Sequence, residues 1–82
     1  MLITSSIVKV KPDKAEEVME LLNQIPKVTA YGIHKKTNIV IVSEAHDIPQ
    51  VENLHEYILQ QIPDALAILP AHLANKGFDR EA

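Results

Sequence analysis

Cysteine is absent from this chain of 82 residues, which has only two glycines and three aromatic residues. Without cysteine there is no disulfide, thiolate metal site or cysteine nucleophile. Gly32 and Gly77 lie too far apart to form a phosphate-binding loop. No apolar run reaches the roughly 18 residues of a membrane span. No basic segment precedes an apolar run at the N-terminus, so we expect no signal peptide and a cytoplasmic location.

The few aromatic residues and the charge of −3 argue against nucleic-acid binding. Sheets that bind RNA stack bases on aromatic side chains, and here only Tyr31 lies in a predicted strand. The four histidines show no metal-ligand spacing. We therefore expect no metal, no cofactor and no enzymatic activity. An acid–base enzyme using His34 or His72 is a minor alternative, because no partner residue is placed beside either.

Hydrophobic periodicity predicts alternating strands and helices along the chain. Prolines and polar turns separate these elements. The predicted elements are a strand over Leu2–Val10, a helix from Pro12–Asp13 to Pro26, strands over Val28–His34 and Ile39–Glu44, a helix from its N-cap Asp47 to Pro63, and a strand from Ala65 to about Leu73. Together they form one domain over residues 1–74, followed by a polar tail over residues 75–82.

The predicted order of elements is β-α-β-β-α-β, and an internal repeat supports its division into two similar halves. The segment "LLNQIPKVTA" (21–30) matches "ILQQIPDALA" (58–67), and each copy runs from a helix through Ile-Pro into a strand. This order is typical of the ferredoxin-like α+β fold, with a split β-α-β-β-α-β arrangement. We expect a four-stranded antiparallel sheet, order 4-1-3-2, with two helices on one face.

Two helices leave the second face of such a sheet uncovered, so its residues should be polar if they meet water. Strict alternation instead places many apolar side chains there. The helix-facing positions include Val8, Val10, Val28, Ala30, Ala65, Ala67 and Leu69. The outward positions, with two carboxylates at the rim, are Ser5, Ile7, Tyr31, Ile33, Val40, Val42, Glu44, Asp47, Leu66, Ile68 and His72.

An apolar patch of this size is typical of an interaction surface. One interpretation is a docking site for a basic, apolar peptide, whose arginines would be received by the rim carboxylates Glu44 and Asp47. A second is a dimer interface, because small sheet domains often associate in this way. A third is a dimeric small-molecule-sensing module of the same fold.

The motifs in order along the chain resemble the NapD family. They are "SSIVKVKP" near the N-terminus, the helix ending in "IPKV", the strand ending in "VSEAHD", and the final "IPDALAILPAH". The resemblance extends to about His72. Members have a glycine after the Ile-Pro of each helix, where this chain has Lys27 and Asp64.

The resemblance implies a cytoplasmic chaperone for the catalytic subunit of a periplasmic nitrate reductase. Such a chaperone binds the twin-arginine signal peptide of that subunit as a helix against the open sheet. It holds back export until the molybdenum cofactor and the iron–sulfur cluster of the client have been inserted. The eleven outward and rim residues given above then become the expected signal-peptide site, on a monomer or a sheet-mediated homodimer.

Overall fold

A computed structural model describes residues 2–70, and it has the predicted order of strands and helices. The antiparallel sheet has the order β2-β3-β1-β4, which is the predicted order read from the other edge, so the ferredoxin-like fold is confirmed. The end of the predicted fourth strand after Pro70, His72 and the tail lie outside the described residues. The elements are β1 (Leu2–Val10), α1 (Ala15–Asn23), β2 (Val28–His34), β3 (Asn38–Ala45), α2 (Ile48–Gln61) and β4 (Ala65–Pro70).

The two helices begin in different ways. Asp47 caps α2 as predicted, since its Oδ1 accepts a hydrogen bond of 3.0 Å from the Gln50 backbone N–H. By contrast, α1 begins at Ala15, later than predicted. The Lys14 N–H donates to the Lys11 carbonyl at 3.1 Å, and Asp13 has a φ of 70°. The Pro12–Asp13 pair therefore forms a turn before α1.

The core lies between the sheet and the helices. Alternate residues of β1 and β3 point into it, and α1 and α2 contribute residues at helical spacing. Asn23 ties the end of α1 to β2, because its Oδ1 accepts a 2.8 Å hydrogen bond from the Ala30 N–H. The buried cluster comprises Val8, Val10, Ala15, Val18, Leu22, Val28, Ala30, Ile39, Ile41, Ile58, Ile62 and Ala65.

A β-bulge interrupts β2, one of the two edge strands. Ala30 pairs with Ile41 and Gly32 pairs with Val40, so Tyr31 is an extra residue without a partner opposite it. A bulge shifts the alternation of the strand by one residue, so every later side chain of β2 changes face.

A second β-bulge interrupts β4, the other edge strand. Val10 pairs with Ala65 and Lys9 pairs with Ala67, which leaves Leu66 as the extra residue. Bulges at edges are a common protection against pairing with other chains. Here they also decide which side chains of β2 and β4 lie on the uncovered face.

Lys27 has a left-handed backbone conformation, at the position after Ile-Pro where the similar proteins have a glycine. Its φ is 68°, and its carbonyl accepts a 3.1 Å hydrogen bond from the Glu44 N–H. The left-handed conformation costs a residue with a Cβ roughly 1–2 kcal/mol. The hydrogen bond holds this conformation, so the chain carries local backbone strain between α1 and β2.

Replacing Lys27 with glycine should therefore stabilise the fold. We expect Lys27→Gly to raise the free energy of unfolding by about 0.5–1 kcal/mol, after allowing for the larger entropy that glycine loses on folding. Denaturant unfolding measures the change. The matched control is Lys9→Gly in the extended strand β1, which should lower stability. A loss of stability in Lys27→Gly would contradict the assigned strain.

Candidate functional site

The sheet face away from the helices is uncovered. In an antiparallel pair, residues directly opposite each other lie on the same face, so the register defines this face residue by residue. We call it the open face. It consists of Ile3, Ser5, Ile7 and Lys9 from β1, Asn38, Val40, Val42 and Glu44 from β3, Thr29, Gly32 and His34 from β2, and Ala67 and Leu69 from β4.

An apolar row crosses the middle of the open face. Ile7 pairs with Val40 on one side and with Leu69 on the other. Leu69 is 47% exposed. Gly32 continues the row beyond Val40, and a Cβ added there would meet no heavy atom within 4 Å. The row therefore exposes Leu69 at one end and has free space above Gly32 at the other, with the half-buried Ile7 and Val40 between them.

Charges of opposite sign lie at the two ends of the open face. Lys9 pairs with Asn38 at one end, next to the β2–β3 turn that contains Lys35 and Lys36. Glu44 is exposed at the other end, opposite Ile3. Lys27 lies at this same end, since its carbonyl accepts a hydrogen bond from the Glu44 N–H. A bound segment therefore meets Lys9, Lys35 and Lys36 at the basic end. At the acidic end it meets Glu44 and Asp47 together with Lys27, and apolar contacts lie between the two ends.

The predicted outward positions in the two central strands are correct. Ser5 pairs with Val42 and Ile7 pairs with Val40, all four on the open face. Glu44 also lies on this face, at its acidic end. Alternation succeeds here because β1 and β3 pair without interruption, and one buried residue fixes the face of all the others.

The prediction for Ile33 is wrong. It pairs with Ile39, which is fully buried beneath the helices, so Ile33 lies on the helix side of the sheet. There it lines an open groove with Ala15 and Glu16 at the start of α1. The bulge at Tyr31 causes the reversal.

The prediction for Ile68 is wrong for the same reason. Ile68 pairs with the buried Val8 and packs against the core. Leu69, which was expected to face the helices, pairs with Ile7 on the open face instead, and Ala67 also changes side. The bulge at Leu66 shifts the strand by one residue and exchanges the two faces.

The remaining predicted residues lie at the margins. Tyr31 and Leu66 are the bulge residues of the two edge strands, and both are exposed. Asp47 follows β3, and one of its carboxylate oxygens already caps α2. His72 lies outside the described residues.

Two large, exposed apolar residues of the open face, Ile3 and Leu69, were missed by the sequence interpretation. Ile3 is 70% exposed, the highest value among the exposed large apolar side chains of the described residues. Ile3, Ser5 and Ile7 are alternate residues of one strand and therefore share a face, so the sequence could have identified Ile3. Leu69 had no comparable signal, because no glycine or proline marks the bulge at Leu66.

The polar groups beneath α2 do not form an accessible reaction site. Ser6 Oγ lies 3.2 Å from His55 Nε2, the distance of a nucleophile–base pair, but Ser6 is only 1% exposed. The hydroxyls of Thr4 and Ser43 hydrogen-bond to each other at 3.0 Å in the same layer. These bonds satisfy polar groups in the core. Within residues 2–70, no three acidic or histidine side chains are grouped to hold a metal ion.

Comparison with known proteins agrees with the motifs. A family model described as NapD protein matches residues 1–73. The chain belongs to the NapD family. No curated protein and no solved structure matches it significantly. In the part of the chain that the structure describes, no helix has the length and apolar character needed to cross a bilayer.

NapD proteins are cytoplasmic chaperones that act in the maturation of periplasmic nitrate reductase, and they are not enzymes. The Ser6–His55 contact is therefore a structural one, in agreement with a family that has no enzymatic activity. A chaperone acts by binding other chains, and the open face is the side of the sheet that the helices leave uncovered.

The Ser6–His55 pair should make stability depend on pH. Burial lowers the pKa of His55 below its ordinary value of 6.5, and the nearby Glu52 carboxylate opposes part of this effect. The unfolded chain then takes up the proton more readily than the folded chain. The contribution of neutral His55 to stability is therefore complete above pH 6.5 and is lost as the pH falls towards the lower folded-state pKa.

We expect His55→Gln to lose less stability than the wild type when the pH is lowered from about 7.5 to about 5.5. Denaturant unfolding at several pH values measures this difference. Asn53→Gln, a neutral change on the same helix, is the control and should keep the wild-type dependence. If the stability of His55→Gln has the same pH dependence as that of the wild type, His55 is not the source of the effect.

Proposed function

We propose that this chain binds the twin-arginine signal peptide of the catalytic subunit of a periplasmic nitrate reductase on its open face. Binding would delay export of the subunit until its molybdenum cofactor and iron–sulfur cluster are in place. The observation that carries the proposal is the uncovered apolar row Ile7–Val40–Leu69 in a chain of the NapD family. Signal peptides supply the complementary features, which are basic residues next to an apolar run.

The open face has the length of a short helix. Lys9 lies six positions after Ile3 in β1, which is about 20 Å of extended chain. A helix of about 13 residues has the same length. Gly32 leaves room beside Val40 for such a helix to approach the sheet closely. A helical signal peptide lying along the strands would therefore cross the middle of the apolar row and reach both charged ends.

The charges favour one orientation of the peptide. Its arginines would lie near Glu44 and Asp47 and away from Lys9, Lys35 and Lys36, because like charges repel and opposite charges attract across an interface. The apolar run would then pass over Ile7 and Leu69 towards the basic end. Asp47 contributes through long-range attraction, since one of its oxygens already binds the Gln50 N–H.

Two adjacent residues of β4 test the location of the site. Leu69→Asn should leave the domain folded, because Leu69 is exposed, and should weaken peptide binding about tenfold or more by burying an unpaired amide beneath the peptide. Ile68→Asn, the matched variant one residue away, should cost about 2 kcal/mol of stability, because Ile68 packs against the core. Asparagine avoids adding a charge that would attract arginine.

Calorimetry with the signal peptide measures binding, and thermal melting measures stability. Binding should have a negative heat-capacity change, since apolar surface leaves water. If Leu69→Asn binds as tightly as the wild type, the open face is not the site. If Leu69→Asn unfolds and Ile68→Asn does not, the register of β4 is misassigned.

A second pair of variants tests the orientation. Glu44→Gln should weaken binding by about 1 kcal/mol or less, because ion pairs at a rim are weak, and this effect should shrink at high salt. Lys9→Gln, at the opposite end, should leave binding nearly unchanged, because the arginines lie away from it. Calorimetry at low and high salt measures the effect of each variant on binding. Stronger binding by Lys9→Gln together with no effect of Glu44→Gln would reverse the orientation, because it would place the arginines beside Lys9.

A further inference from the structure

The acidic end of the open face has different chemistry on its two sides. Glu44 of β3 pairs with Ile3 of β1 on one side. On the other side the Glu44 N–H donates a 3.1 Å hydrogen bond to the carbonyl of Lys27, the residue before β2. A basic, an acidic and an apolar residue therefore lie next to one another across the sheet. We call Lys27, Glu44 and Ile3 the terminal row.

All three residues of the terminal row are accessible to a bound chain. Ile3 is 70% exposed, and Lys27 and Glu44 are exposed as well. The ion pairs within residues 2–70 involve other lysines and other carboxylates. In this part of the chain, neither Lys27 nor Glu44 is therefore neutralised by a salt bridge.

The backbone holds Lys27 close to the place proposed for the arginines. Residues directly opposite each other in antiparallel strands have Cα atoms about 4.5–5.5 Å apart, and the hydrogen bond to Glu44 keeps Lys27 in such a position. Charges are screened over about 8 Å at physiological salt. A peptide side chain next to an arginine on Glu44 would therefore experience the positive charge of Lys27.

We infer that Lys27 is a specificity-determining residue, which selects signal peptides with an acidic side chain beside the arginine that Glu44 receives. The inference rests on the proposed function and on its orientation of the peptide. An acidic side chain at that place would attract Lys27, and a basic one would be repelled by it. Specificity is the difference between the two affinities.

Helix geometry gives the position of this acidic residue in the peptide. Side chains that are neighbours on a helix surface are three or four residues apart in sequence. The acidic residue selected by Lys27 would therefore stand three or four positions from the arginine bound at Glu44. On the opposite side of that arginine, Ile3 favours an apolar side chain.

Synthetic signal peptides that differ at one position test the inference. Each has an arginine pair followed by a helical run of about 13 alanines and leucines, with glutamate or lysine three or four positions from an arginine. Calorimetry at low salt and about pH 8, where His46 beside Asp47 is neutral, measures the ratio of the two affinities. Lys27→Gln should lower the glutamate-to-lysine ratio about threefold, and this change should shrink at high salt.

Lys36→Gln is the matched control. Lys36 is exposed like Lys27 and has a similar φ, 71° against 68°, but it lies in the turn at the basic end. The two variants remove the same charge from the same backbone conformation, so Lys36→Gln should leave the ratio unchanged. Lys27→Arg should preserve the ratio, and Lys27→Glu should lower it further than Lys27→Gln does.

Two results would overturn the inference and leave the proposed function standing. One is an unchanged ratio in Lys27→Gln at every position tested, and the other is an equal fall in Lys36→Gln. In both cases the wild type still binds the peptides, and Leu69→Asn still weakens that binding. If the wild type binds none of the peptides, the proposed function fails, and the role of Lys27 fails with it.

Discussion

Two helices can cover only one face of a four-stranded sheet, and the organisation of this chain depends on that limit. The covered face provides the core, in which Val8, Ile39 and Ile41 pack against Leu22 and Ile58 with no exposed surface. The uncovered face carries a second, smaller set of apolar residues across its middle strands. Because stability comes from the covered face, the open face is available for binding.

The open face is apolar in its middle and polar around it. Ser5 and Thr29 lie on either side of Val42, and Ser5, Ile7, Val40 and Val42 are all half-buried by their neighbours. This mixture limits the continuous apolar area that the protein presents to water when it has no partner. It also suits a chaperone, which must release its client, since only part of the contact area supplies hydrophobic attraction.

Element order and topology could be predicted from the sequence because prolines, the Ile-Pro repeat and the Asp47 cap mark the boundaries directly. The open face could be predicted only where pairing is continuous, as for Ser5, Ile7, Val40 and Val42. In β2 and β4 a single extra residue reverses the alternation, so Ile33 and Ile68 were assigned to the wrong face. An edge strand can accept such a residue at little cost, because it pairs on one side only, and Tyr31 and Leu66 carry no sequence signal of a bulge.

Contacts between a bound signal peptide and individual methyl groups would test the central claim most directly. Intermolecular nuclear Overhauser effects should connect the apolar run of the peptide to the methyl groups of Ile3, Ile7, Val40, Val42 and Leu69. They should be absent for Val8, Ile41 and Ile68, which face the helices. Contacts to Leu21 or Leu59 on the helix layer, with none to Ile7 and Leu69, would contradict binding of the client on the open face.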